Sequence, residues 1–149
     1  MCFFLRDIEH TLFFVESYGN HRDLAVAIRR SGVPRHQLWL TSKVKTVRGN
    51  LSRGDTLREA ARVADELGVR HVDLLLLHHA KGNSARAQVD QWRGLIDAQE
   101  QGLAHNIGVS NYDVAQLERL HAATGRLPAV NQLELHPWVV AQPLEIARW

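Results

Sequence analysis

At 149 residues, 45% hydrophobic and 23% charged, the chain has the length and make-up of one globular domain with a real core. Its net charge of +2 is a scattered surplus of Lys and Arg, with no basic stripe that would favour nucleic acid or an acidic membrane. A single cysteine, Cys2, excludes an internal disulfide and a multi-cysteine metal site, and suits a reducing compartment such as the cytoplasm.

Residues 1–15 read as an atypical N-terminal segment. Met1 to Leu5 and most of Thr11 to Val15 are apolar, but Arg6, Asp7, Glu9 and His10 break the run below signal-peptide or membrane-span length. Residues 16–149 read as one partial barrel domain. A helix is expected over Asn20 to Arg30, with Leu24, Ala27 and Ile28 inward and Gly32 and Pro34 as stops. Leu38 to Val44 is the next strand. A second helix starts near Ser52 or Thr56, where Thr56 and Glu59 have capping-box spacing, and ends at Gly68.

Val72 to His79 is the most informative stretch. Four consecutive leucines follow Val72 and Asp73, too apolar to alternate between core and water, so the strand is expected to be buried on both faces. A third helix covers about Ala85 to Gln101, with Val89, Trp92, Leu95 and Ile96 inward. His105 to Ser110 is a short strand, and Asn111 is expected to cap a fourth helix through Ala123. Ala129 to His136 is the last strand, and a further helix is expected from Pro143.

This rhythm of strands near 38, 72, 105 and 129, alternating with helices, predicts a parallel sheet clothed in helices. A doubly wound dinucleotide fold would carry a Gly-x-Gly-x-x-Gly turn, which is absent. An incomplete (β/α)8 TIM barrel fits better, because polar residues sit at the ends of several strands: Lys43, His78 with His79, Ser110 with Asn111, and Gln132, Glu134 and His136. Each has a plainer reading. Lys43 could reach the rim as a solvated cation, the histidines could mark where a strand meets water, and the last three residues could be a wet edge. Nine histidines raise the question of a metal, but no His-x-His pair occurs and no metal site is expected. A Schiff-base lysine at Lys43 is a further alternative.

Tyr18-Gly-Asn, Leu40-Thr-Ser-Lys43-Val, Asp73-Leu-Leu-Leu-Leu-His78, Gly108-Val-Ser-Asn111 and Asn131-Gln-Leu-Glu-Leu-His-Pro137 together resemble the aldo-keto reductases in order and spacing. Ser31-Gly-Val-Pro-Arg35 is similar too. The resemblance implies a (β/α)8 barrel that reduces aldehydes or ketones with NADPH. It implies that Tyr18 is the general acid, that Lys43 lowers its pKa, and that His78 orients the carbonyl oxygen. It also implies that Ser110, Asn111 and Gln132 hold the nicotinamide carboxamide, with the cofactor extended and needing no glycine-rich turn. The sequence departs from the family at three places. Phe13 stands where an aspartate would pair the lysine, His21 replaces a glutamate, and Ala80 stands near a common proline. A barrel needs about 250 residues, so a truncated form, marginal as a monomer, is expected. A non-catalytic, nucleotide-responsive subunit derived from the fold is the alternative.

Overall fold

The computed structural model describes residues 21–45, 51–134, 136–138 and 146, and the backbone of 11–13. Five strands form one parallel sheet in sequential order: β1 (Thr11–Phe13), β2 (Trp39–Val44), β3 (Val72–Leu77), β4 (Ala104–Ser110) and β5 (Asn131–Gln132). Helices α1 (His21–Ser31), α2 (Arg53–Leu67), α3 (Ala85–Glu100) and α4 (Val114–Thr124) connect them, each packed on the next. A 3-10 turn, Arg35–Gln37, leads into β2. This is a partial parallel barrel, as the alternation of strands and helices predicts.

Register sorts the side chains onto two faces, because paired residues of parallel strands project to the same side. Thr41 and Lys43 pair with Leu74 and Leu76, which pair in turn with Asn106 and Gly108, and Ser110 pairs with Gln132. That set lines the inner face. The alternate residues Leu40, Val44, Leu75, Leu77, Ile107 and Val109 join Val63, Leu67, Trp92, Leu95, Leu117 and Leu120 of the helices in one apolar core. Burying such a side chain fully stabilises the fold by about 1.5–3 kcal/mol. β3 is buried along its whole length, inner face included, which accounts for its unbroken run of leucines.

Local chemistry sets the helix ends. Ser52, not Thr56, caps α2: its hydroxyl accepts from the Asp55 N–H, and Asp55 reaches back to the Ser52 N–H. Thr56 instead turns its hydroxyl to the Ser52 carbonyl at 3.0 Å. Ser84 caps α3 by accepting from the Ala87 N–H. α2 and α3 touch closely at Gly94, where a Cβ would lie 2.5 Å from the Arg53 carbonyl oxygen. Only glycine permits that backbone approach.

Two expectations need correction. Asn111 does not cap α4. Asp113 does, in a capping box with Gln116, while Asn111 sits before the helix at φ 58°. The strand expected over Ala129 to His136 shrinks to Asn131–Gln132, so Glu134 and His136 do not inherit a strand face from Gln132; a hydrogen bond of 2.8 Å joins them instead. The atypical N-terminal segment contributes β1, whose Phe13 is in register with Thr41. The helix expected from Pro143 lies outside the described residues except for Ile146. Among the described residues no helix is long and apolar enough to cross a membrane.

Candidate functional site

Lys43, His78, Ser110, Asn111 and Gln132 come together at the carboxyl ends of β2 to β5, the end at which parallel barrels place their chemistry. Each arrives by a separate route. Lys43 is the last inner-face residue of β2. His78 follows β3 directly, and its N–H donates to the Val44 carbonyl at 3.2 Å, which extends the ladder by one rung. Ser110 ends β4 and Gln132 ends β5, paired in register.

Ser110 is the hub. Its hydroxyl donates to the Gln132 backbone carbonyl at 2.9 Å and accepts from Asn111 Nδ2 at 3.0 Å and from Lys43 Nζ at 3.5 Å. Asn111 Nδ2 also points to the His78 carbonyl at 3.4 Å. The left-handed backbone of Asn111 lets its amide turn back over the strand ends, a conformation asparagine tolerates better than most residues. Gly108 lies one inner-face position before Ser110. A Cβ there would sit 2.5 Å from the Val130 carbonyl oxygen and 2.7 Å from Leu76 Cδ2, so larger residues would push β4 away from the chain entering β5.

The electrostatics are those of a cationic, partly dry corner. Lys43 has no carboxylate partner among the described residues, and burial lowers its pKa. The missing partner matches the phenylalanine at position 13. His78 is pushed down to about 4, first by burial and then by the positive charges of Lys43, His79 and Lys45. Its imidazole is therefore neutral at neutral pH and can donate or accept a hydrogen bond without adding charge. Its neighbour His79 lies with ring centroids 5.0 Å away and tilted planes. Tyr18 lies outside the described residues.

Two groups that shape the site carried little sequence signal. Asn131 clamps the turn after β4: its Nδ2 donates to the Tyr112 carbonyl at 2.8 Å and its Oδ1 accepts from the Tyr112 N–H at 3.4 Å. That bidentate hold fixes the residue next to Asn111. His21 bridges Ser42 Oγ and Glu66 Oε2, each at 3.0 Å, which ties α1 and α2 to the strand carrying Lys43. The Glu66 carboxyl is held below the usual carboxylate range by the His21 hydrogen bond, with Arg62 adding to it. Serine, histidine and glutamate in this order have the connectivity of a hydrolytic triad. Ser42 is 0% exposed on the core side of β2, so no substrate can reach it and the array is structural.

Comparison with known proteins agrees with this architecture. Residues 16–148 match the aldo/keto reductase family. An aldo-keto reductase from Mycolicibacterium smegmatis is 40% identical over 123 residues, covering 81% of this chain and 42% of the relative. A crystal structure of an aldo/keto reductase from Brucella melitensis superposes with a TM-score of 0.84 at 32% identity, covering 93% of this chain and 53% of that one. A Bombyx mori aldo-keto reductase solved in complex with NADP gives a TM-score of 0.80 at 25% identity, over 93% of this chain and 47% of that one. The chain thus spans about half the length of the relatives it matches.

Proposed function

The chain belongs to the aldo/keto reductase family, and on that premise we propose that it carries the central part of a carbonyl reductase using NADPH on small aldehydes or ketones. The observation that carries the reading is the meeting of Lys43, Ser110, Asn111 and Gln132 with a neutral His78 on the rim at the carboxyl ends of the strands. The donor set suits a carboxamide, which needs one partner that accepts and one that donates. Asn111 Oδ1 and the Gln132 side-chain amide make no hydrogen bond among the described residues, so they offer both, with Ser110 holding Asn111 in place.

A bound reduced nicotinamide supplies the hydride. The chain's own residues handle the oxygen. Tyr18 is the proposed proton donor; a phenol with a pKa near 10 gains acidity beside the Lys43 ammonium, which favours the phenolate left behind. Neutral His78 donates its ring N–H to the carbonyl oxygen and aligns it. Lys43 has no paired carboxylate among the described residues, and burial lowers its pKa, so its own proton is held less firmly than in water. The single cysteine suits a reducing interior, and the cytoplasm is the proposed location.

The test is a titration of NADPH into the full chain, followed by emission from Trp39, Trp92, Trp138 and Trp149, and then addition of a generic aldehyde. Binding with turnover is expected, and Tyr18→Phe should cut turnover by about 100-fold or more while leaving NADPH binding intact. Equal turnover in Tyr18→Phe removes the assigned acid. Saturable binding with no turnover favours the nucleotide-responsive subunit, a reading that the phenylalanine at position 13, where the family has an aspartate, independently supports.

A further inference from the structure

At the opposite rim of the sheet, where β3 and β4 begin, three side chains converge that take no part in the chemistry above. The separation is roughly 20 Å, the length of the six-residue β3. His71 immediately precedes β3 and Asp73 is its second residue, so two-residue spacing sets them on one face. His105 lies on β4 between the registered pairs Val72↔Ala104 and Leu74↔Asn106, which brings it abreast of Asp73. One donor atom from each of His71, Asp73 and His105 falls within 4.8 Å of the others.

The Nδ1 atom of His71 is buried without a hydrogen-bond partner among the described residues, an arrangement that leaves a desolvated donor unused. Asp73 Oδ2 is fully committed, accepting from the Leu40 N–H and from Arg35 Nη2, both at 2.7 Å. Those two bonds orient the carboxylate and leave Oδ1 facing His105 Nδ1 at 3.9 Å. This is the outer support a metal-binding carboxylate ordinarily has.

We propose that His71, Asp73 and His105 form a binding site for a divalent transition metal, with zinc as the fitting ion and water in the open position. Two imidazoles and one carboxylate select zinc, nickel or copper over magnesium and calcium, which require mainly oxygen donors. Zinc ligands at about 2.0–2.1 Å stand roughly 3.4 Å apart, so the cluster closes on loading. His105 supplies that movement, since its side chain is 56% exposed. Its ring now stacks on His71 at 3.8 Å and 25°, and nearly parallel lone pairs cannot converge on one ion. Loading therefore turns His105 out of the stack. The Arg35 guanidinium beside Asp73 opposes a second cation, so the ion is reversibly held and clamps β3 to β4 instead of being required for folding.

The experiment adds zinc chloride, and in parallel cobalt chloride, to the metal-free full chain. Histidine ring resonances are followed by NMR, cobalt by its visible absorption, and unfolding by a thermal scan. Zinc should move the His71 and His105 signals together as their mutual ring-current shift is lost, and should raise Tm. His105→Ala, which removes an exposed side chain, should abolish both effects and weaken binding at least about tenfold. His136→Ala, at a separate exposed histidine–carboxylate pair, should leave them unchanged. Undiminished binding in His105→Ala, or shifts confined to His78, His79 or His136, overturns the assignment.

Discussion

Ser42 and Lys43 are neighbours in β2, yet their side chains meet opposite worlds. Ser42 faces the helices, is fully buried, and is tied through His21 to Glu66. Lys43 faces inward and has only the Ser110 hydroxyl at 3.5 Å, with no compensating carboxylate among the described residues. The same division runs across the sheet. On the helix side apolar groups interlock around the hydrogen-bonded Ser42, His21 and Glu66. On the inner side a polar rim keeps hydrogen-bonding capacity in reserve at Asn111 and Gln132. The outer side of β2 therefore packs into the core, while the inner rim is where we place the proposed ligand chemistry, within a single strand and one residue apart. A polar group left under-satisfied costs free energy, and the inner rim is where a ligand can recover it.

This comparison can be broken from either side. Leu75→Ala removes a side chain that is 0% exposed in the core between the sheet and the helices. It should destabilise the chain by about 2–5 kcal/mol in a denaturant titration while leaving the rim residues in place. Lys43→Met should do the reverse. Turnover should be lost, but stability should stay within about 1 kcal/mol of the parent or rise, because an ammonium disfavoured by burial is replaced by an apolar chain of similar length. A large loss of stability in that variant would show that the inner face is structural after all.

The smallest effect is one of pH. His78 has a folded-state pKa of about 4 against an ordinary 6.5. Between those values the unfolded chain binds more protons than the folded one, so stability falls as pH drops from 6.5 to 4 and levels off below. His78→Asn should shallow that slope in urea titrations run across the window. Some slope should remain, since burial, His105 and Arg35 also lower the pKa of His71. An unchanged slope would mean that His78 is better solvated than its setting between Lys43 and His79 implies.

How much of this was legible beforehand depends on the range of the interaction. The run from Val72 to Leu77, the place of Lys43 at the end of its strand, and the glycine stop after α2 are local features, and all are readable from residue order. Asn111 was misread for a physical reason. Asparagine is both a good cap and one of the few residues at ease with positive φ, and here the second property wins because Asp113 and Gln116 supply the capping box two residues on. The short β5 was misread because its apolar alternation continues past the point where β4 can pair with it.

The sequence by itself determined the class of fold, the alternation of strands and helices along the chain, and the placement of Lys43, His78, Ser110 and Gln132 near strand ends. Each follows from the period of the apolar pattern and from motifs a few residues long. The tertiary structure alone decided that Ser110 is the hub joining Lys43, Asn111 and Gln132, that His21 reaches both Ser42 and Glu66, and that His71 and Asp73 meet His105. Those meetings depend on the register between strands and on how helices lie across them. Register is set by packing summed over the whole sheet, and no short stretch of chain contains that sum.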